Sequence, residues 1–542
     1  MAVPSQNGTP QYEAVVIGAG VCGIYMLYRL LKLGLNATLL ERGSDAGGTW
    51  YWNRYPGARF DSESYTYGYS FSKELLEEWD WSEHFSGQPE TFRYLQYVVE
   101  KFQLRDHMQF DCNVQASTWD DENQVWTVRM EDRREVTTRF LFTAIGMLSA
   151  ATMPRYPGVD RFKGESFHTY YWPSTPVELE GKRVAVVGTG ATGVQVISEI
   201  ADKVGDLTVF QRRPNWCAPL HNGPIDDEEQ AKIKASYDEI FALCKKTPGS
   251  FIHQPDRREF KEVPREERLA LWEKLYASRG FGVWLSNFRD IFMDEDANAE
   301  YSEFIAGKIR ERVNDPVVAE KLIPKDHGFG TRRVPLETKY YEAYNRDNVH
   351  LKDINETPIV EGTEKGILTS EGELEFDLII YATGFDAITG AFDRMEFSGV
   401  DGRRLNDKWA DGPITYLGLQ THDFPNLITL AGPQSGSVSS NFPRGIEDAV
   451  DWAANLVAYL KENGYHRIEA TAEAEDEWVE TIKSYYEGLL IANTKSWFTG
   501  FNSNVDGHDK LRYLIFWGGA PKFRERITEV AENGYDGFSL EK

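Results

Sequence analysis

The sequence predicts an α/β fold of two Rossmann-like dinucleotide-binding units with a helical insertion. Two observations predict it. The order strand, G-x-G-x-x-G, helix, strand occurs twice, opening at Tyr12 and again at Arg183. Between residues 225 and 330 the pattern changes to charged segments whose apolar positions lie three to four apart, the period of helices.

Each element follows from its residues. Tyr12–Ile17 is a short apolar run of strand formers, GAGVCG turns the chain, residues 24–33 continue at helical period, and Gly34 is the stop signal. Ala37–Leu40 reads as the next strand. The second copy runs through Arg183–Val187, GTGATG, residues 194–200 and residues 207–210. In the insertion, DDEEQAKIKASYDEIFALCKK, PREERLALWEKLYASR and ANAEYSEFIAGKIRERVND begin acidic and end basic, as helices do. Strand-like pieces return at residues 376–386 and 424–433, and the C-terminal part is helical and aromatic. The chain therefore divides into a first dinucleotide domain (residues 1–145 and 384–542), a second (146–224 and 331–383) and the insertion (225–330).

Charge narrows the partners. Acidic side chains number 85 against 59 basic ones, a net charge of −26 that repels phosphate backbones and anionic lipid. Neither nucleic acid nor membrane is expected, and any pocket for phosphates must be locally basic or rich in amides. No stretch approaches the ~20 apolar residues of a membrane span. Residues 1–20 lack the basic start and apolar core of a signal peptide. Cys22, Cys112, Cys217 and Cys244 show neither pairing nor metal spacing, which fits a reducing cytoplasm. No C-x-x-C, H-x-x-x-H or H-E-x-x-H occurs, so no protein-held metal is expected.

Gly18, Gly20 and Gly23 make the first fingerprint. Such glycines permit a tight turn, close approach of backbone to pyrophosphate and close helix–strand packing, while the helix N-terminus attracts the anion. Glu41 ends the following strand, where a carboxylate accepts from ribose hydroxyls. A carboxylate there disfavours a 2′-phosphate, which leaves FAD or NAD. Gly188, Gly190 and Gly193 repeat the fingerprint, but the corresponding strand end carries Gln211, Arg212 and Arg213. Neutral and cationic groups remove the repulsion and supply forks for a 2′-phosphate, so NADPH is preferred over NADH.

Three further segments carry a family resemblance. GGTWYWNRYPGARFD, residues 47–61, matches a class B flavin monooxygenase pattern at Gly47, Gly48, Trp50, Tyr55, Pro56, Gly57 and Asp61. FKGESFHTYYWP reproduces F-x-G-x-x-x-H-x-x-x-W-P at Phe162, Gly164, His168, Trp172 and Pro173. Gly330, Thr331, Arg332 and Arg333 match G-x-[K/R]-R. With these motifs the chain resembles the type I Baeyer–Villiger monooxygenases over nearly its whole length.

The resemblance implies FAD in the first unit, NADPH in the second, and as reactants a small ketone and O₂. It places Gly18, Gly20, Gly23, Glu41, Thr49, Trp50, Tyr51, Trp52, Asp61, Tyr67, Val114 and Phe442 against FAD. Against NADP it places Gly188, Thr189, Gly190, Ala191, Thr192, Gly193, Gln195, Arg212, Arg213, Arg332, Arg333 and Trp497, the last on a mobile covering loop. That loop departs from the family pattern at residues 501–507. Arg332 stands where lysine is usual and keeps the charge. Arg333 is implied to sit over the flavin as the residue required for oxygenation, with Asp61 holding it. On its own residues, His168 reads as a packed linker histidine.

The implied chemistry is attack of a C4a-peroxyflavin on a ketone carbonyl, followed by carbon migration to oxygen, giving an ester or lactone. A fixed cation suits such anionic species, and guanidinium stays charged at any working pH. NWCAPL and EKLIPKDHGFGTRRVPLETKYYE look most like the bicyclic-ketone branch. Residues 432–445, GPQSGSVSSNFPRG, are expected to line the substrate side, their small side chains leaving room for a ring; alternatively they form a flexible loop and the insertion sets pocket size. Three rivals stay open: an N- or S-hydroxylating flavin monooxygenase, an NADPH oxidase, and a non-catalytic flavin- or NADPH-binding regulator. A monomer or weak homodimer is expected.

Overall fold

The computed structural model describes residues 9–542; residues 1–8, which include much of the segment read above as no signal peptide, lie outside it. Two sheets, one mixed and one parallel, organise the chain. In the first, Tyr12–Ile17 lies between Ala37–Leu40 and Glu135–Thr143, all parallel, with Met108–Gln109 at the edge. Glu135–Thr143 is long enough to serve two neighbours on its other side. Its first half pairs antiparallel with Val125–Met130, and its second half pairs parallel with Leu427–Thr429. Val114–Asp120 and Glu396–Ser398 extend the antiparallel side.

From Ala14 to Ile17 the strand Tyr12–Ile17 is apolar on both faces, as suits a strand covered on both sides. Ala14 and Val16 pack with Ile24, Leu27 and Leu30 of the helix Val21–Lys32 and with Ala449, Ala453 and Val457 of the helix Phe442–Asn463. Val15 and Ile17 face a second cluster with Trp126, Val128 and Phe424. The first helix starts at Val21, a turn earlier than its apolar period suggests. Gly34 ends it at φ +71°, a conformation that favours glycine.

The second sheet is wholly parallel, in the order Val349–Asp353, Asp206–Gln211, Arg183–Val187, Leu378–Tyr381, Glu165–His168. It draws strands from both sides of the helical stretch. That stretch contains Asp227–Ala235, Tyr237–Cys244, Arg265–Tyr276, Glu295–Arg312 and Pro316–Leu322. Trp272, Tyr301, Ile305 and Ile309 of these helices share one core with Val184, Val186, Ile197 and Leu207 of the sheet unit. The insertion is thus packed onto the second unit. No described helix is long and apolar enough to cross a membrane.

Candidate active site

Both glycine fingerprints turn from a parallel strand into a helix. Gly18 and Gly188 adopt φ of +104° and +109°. A Cβ on Gly23 or Gly193 would overlap the carbonyl of Gly18 or Gly188. These four glycines serve the fold itself. Gly20 and Gly190 differ: a Cβ on Gly190 would meet nothing within 4 Å, and one on Gly20 only the Gly48 Cα at 3.5 Å. Their φ values of −83° and −74° suit any residue. The room they leave lies before helix N-termini whose free N–H groups attract anions, the first from Val21 and the second from Ala191 and Thr192. This is the cradle a pyrophosphate needs.

Glu41 is buried and reaches back to its own loop, Oε2 accepting from Ala19 N and Oε1 from Gly43 N, both at 2.7 Å. Each oxygen keeps a second lone pair for a ribose hydroxyl. Beside the cradle, the short helix Thr49–Trp52 is held close by Gly48, whose Cβ would lie 2.5 Å from the Gly20 Cα. The Trp50 indole donates to the Tyr67 hydroxyl at 3.0 Å, and Tyr67 stacks on Phe60 at 4.1 Å. Tyr51 shares a hydrogen bond with Ser44. Trp52 stacks on Tyr170 at 5.5 Å, with the Arg42 guanidinium 4.6 Å from its ring centre. Val114 is buried in its strand, and Phe442 opens the long helix half-buried.

The two proposed catalytic residues meet. Arg333 Nη2 donates to Asp61 Oδ2 at 3.0 Å, and the Leu336 N–H donates to the same oxygen at 3.2 Å. Asp61 is buried, and its Oδ1 has no protein partner. Burial pushes the Asp61 carboxyl above the ordinary carboxylate range, against the opposing pull of Arg333 and the Leu336 N–H. The guanidinium lies 4.8 Å from the Phe281 ring and 5.7 Å from that of Trp284. The insertion therefore supplies the aromatic walls around this cation.

Arg212 and Arg213 leave the strand end exposed, and Arg332 approaches them from its own loop. Burial first, then the charges of Arg213 and Arg212, depress the proton affinity of the Arg332 guanidinium, while Asp326 opposes them. Asp326 Oδ2 lies 3.4 Å from Arg332 Nη2 and 3.8 Å from Arg213 Nη1. Two guanidiniums thus gather about one carboxylate, with Arg212 near enough for its charge to be felt at Arg332, a locally basic patch on an acidic protein. Thr189 Oγ1 donates to Arg213 O at 2.9 Å, fixing the loop to the fingerprint. Gln195 ties the units together: its Oε1 accepts from Tyr55 OH at 2.8 Å and its Nε2 donates to Arg59 O at 2.9 Å. Gln211 turns inward, donating to Lys321 O.

His168 is buried, with Nδ1 accepting from Tyr170 N at 3.1 Å and Nε2 3.2 Å from Gly384 O. Burial lowers its pKa to about 4, so the ring is neutral and structural. Gly384 belongs to one of two crossovers between the units, and these pair as an antiparallel ribbon. Thr152 N donates to Gly384 O, Asp386 N to Ala150 O and Ile388 N to Met147 O. The divergent C-terminal loop lies on this ribbon. Asn502 donates to Phe385 O, and His508 Nδ1 sits 3.1 Å from Asp386. Trp497 packs on Phe498 at 4.3 Å, beside Ala387 and Ile388.

One expectation is corrected. The small residues of 432–445 neither leave open space nor form a loose loop. A Cβ on Gly436 would lie 2.5 Å from Phe523, and one on Gly445 2.6 Å from Ser437 Cα. The protein itself fills that room. Phe281, Trp284, Asp326 and His327 are site residues that the sequence reading missed. KDHG before G-x-[K/R]-R was a usable signal for Asp326 and His327; the two rings had none, lying far from any motif. A cavity of about 520 Å³, lined in part by Trp216, Asn298, Asp326, His327 and Thr331, adjoins the arginine patch.

Comparison with known proteins agrees with this geometry. The pattern of the flavin-binding monooxygenase-like family matches residues 12–221. The 2-oxo-Δ3-4,5,5-trimethylcyclopentenylacetyl-CoA monooxygenase of Pseudomonas putida is 46% identical over 98% of this chain and 99% of its own length. The cyclopentanone 1,2-monooxygenase of a Comamonas species is 40% identical over 97% of this chain and 96% of its own. The crystal structure of OTEMO complexed with FAD and NADP superposes with a TM-score of 0.95 at 45% identity, covering 98% of this chain and all of that one.

Proposed function

This chain belongs to the flavin-binding monooxygenases of Baeyer–Villiger type, and we propose that its Arg333–Asp61 pair promotes insertion of one oxygen atom of O₂ beside the carbonyl of a cyclic or bicyclic ketone. The observation that carries the reading is the partly buried guanidinium, paired to a buried carboxylate and walled by two aromatic rings. A fixed, desolvated cation is what an anionic adduct of a ketone requires.

The cradles fit both cofactors. Gly18, Gly20, Gly23 and Glu41 would hold the FAD pyrophosphate and ribose, with the 49–52 helix, Tyr67, Val114 and Phe442 around the rest. Gly188, Thr189, Gly190, Ala191, Thr192 and Gly193 would hold the NADPH pyrophosphate, and Arg212, Arg213 and Arg332 its 2′-phosphate. FAD reduced by NADPH supplies the activated oxygen when both are bound. Asp61 fixes the direction of Arg333 and balances its charge. Gln195 and His168 act as ties between the units, and Trp497 as part of a cover over the nicotinamide half. We assign residues 1–145 and 384–542 to the FAD domain, 146–224 and 331–383 to the NADP domain and 225–330 to the insertion. We take the protein as a cytoplasmic monomer or weak homodimer.

Ring substrates are supported by the named activities of the relatives and by the aromatic walls from the insertion. The test compares a bicyclic ketone, cyclohexanone, and linear aliphatic and aryl ketones at saturating NADPH. Faster lactone formation from the rings is expected. Esters from the linear ketones alone would remove the ring preference and leave the reaction class standing.

A further inference from the structure

We propose that Glu63 and His253 are positioning residues for oxygenation: the buried hydrogen bond between them seats the 280–284 turn, and so sets Phe281 and Trp284 against the Arg333 guanidinium. The inference rests on the Arg333 reading above and adds to it the pair that holds the wall in place.

Glu63 lies two residues beyond Asp61 in the first unit, and His253 belongs to the insertion. His253 Nε2 donates to Glu63 Oε1 at 2.8 Å, with the two side chains 11% and 3% exposed. Glu63 stands at the N-cap position of the short helix Ser64–Tyr67, yet its carboxylate makes no cap and turns to His253 instead. Among the described residues its other oxygen, Oε2, has no partner. Burying a carboxylate on a single hydrogen bond is costly, and an apolar pair would close the same contact with less penalty. What the pair adds is direction: a hydrogen bond fixes where the ring stands, as apolar packing alone does not.

The turn resting on this pair is the part of the insertion that reaches Arg333. Gly280 sits at φ +69°, and a Cβ there would lie 2.5 Å from Glu63 Oε1 and 3.1 Å from His253 Nε2. A Cβ on Gly282 would lie 3.5 Å from His253 Nδ1. The backbone on both sides of Phe281 is therefore seated on the pair. Phe281 also meets the ring of Phe251, two residues before His253, edge-on at 5.1 Å. Gly282–Leu285 forms one helical turn, with Trp284 N donating to Phe281 O at 2.9 Å. Trp284 Nε1 donates to Gly330 O at 3.2 Å, on the loop that leads to Arg333. The two rings then stand 4.8 and 5.7 Å from the guanidinium. Asp61 aims Arg333, and Glu63, on the same stretch of chain, aims the rings around it. A wall that slips would let water to the cation and loosen its placement, which weakens its hold on an anion.

Lactone formed per NADPH consumed by the FAD-loaded enzyme is the readout, because this ratio does not depend on how much of the protein is folded. Arg333 acts on the ketone adduct, after NADPH has been oxidised, so a loosened wall leaves NADPH reducing O₂ to hydrogen peroxide instead. His253→Asn, too short to reach Glu63, should lower the ratio about tenfold, while NADPH bleaches the flavin anaerobically at the parent rate. His253→Gln, whose amide can stand where Nε2 does, should restore most of it. Glu63→Met, which removes the buried charge along with the hydrogen bond, should share the loss. Phe281→Leu should lose part of the ratio, and His253→Asn added to it should lower it little further. A parent ratio in His253→Asn or Glu63→Met, even with a lowered thermal midpoint, makes the pair merely structural and overturns the proposal. So does a His253→Gln protein as poor as His253→Asn, or the full loss repeated in the Phe281→Leu background. Arg333→Ala is the control: if it too keeps the parent ratio, the Arg333 reading itself fails, and the proposal with it.

Discussion

Arg333 donates from Nη2 to Asp61 Oδ2 across 3.0 Å, joining residues 272 apart in sequence. One partner follows the glycine turn of the first unit, and the other follows the insertion. Folding both units is what assembles the pair, so the cation exists in place only in the complete protein. Phe281 and Trp284 limit its remaining freedom.

Arg333→Ala should keep its yellow colour and its FAD content but lose product formation by about 10²–10³-fold, the usual cost of removing a donor at a developing anion. Product yield by gas chromatography and FAD release by heating check the two halves. A variant that forms lactone at the parent rate would take Arg333 out of the mechanism.

Asp61→Asn should remove most of the same activity and also change its pH dependence. Burial raises the Asp61 carboxyl, so it takes up a proton at a higher pH than a free aspartate. Protonation cancels the charge that orients Arg333. The parent kcat should therefore fall on acidification above the ordinary carboxylate range, and this acid limb should be missing from Asp61→Asn. An identical limb in both proteins would assign it to another group.

Much of this was legible in the residues. Strand Ala37–Leu40 and the fingerprint turns follow from local pattern alone, because each is set by a few neighbouring residues, a short buried run in the strand and glycines in the turns. The Asp61–Arg333 pairing came from family motifs, since nothing local joins residues so far apart. Phe281 and Trp284 were illegible for that reason: a helix-rich insertion presents many aromatics, and only tertiary packing selects these two. The segment at 432–445 misled because small residues mean either empty space or close packing, and Phe523, which fills the space, is remote in sequence.

The two glycines of each fingerprint type should behave oppositely. Gly190→Ala has open space and an ordinary φ, so the thermal midpoint should stay near the parent's while KM for NADPH rises about tenfold or more. Gly193→Ala would press its Cβ on the Gly188 carbonyl and should unfold or lower the midpoint sharply. Differential scanning fluorimetry with steady-state kinetics checks both. A Gly190→Ala protein with unchanged KM would mean that the cradle does not hold the coenzyme.

His168 should make the parent acid-sensitive. Its folded pKa of about 4 lies below the ordinary 6.5. The unfolded chain therefore takes up a proton that the folded chain refuses, and stability falls as pH drops from 6.5 towards 4. By pH 5 this amounts to roughly 2 kcal/mol relative to neutral pH. His168→Gln lacks that loss, so its unfolding free energy should decline less between pH 7 and 5, although its value at pH 7 is lower. Parallel declines in urea denaturation would show that His168 titrates normally.

The most direct test of oxygen insertion is turnover of a bicyclic ketone with NADPH under ¹⁸O₂, with mass analysis of the product. One ¹⁸O atom in the ring of the lactone, formed in step with NADPH oxidation, is the predicted result. Hydrogen peroxide without oxygenated ketone, or oxygen transferred only to an added amine or sulfide, would contradict the assignment.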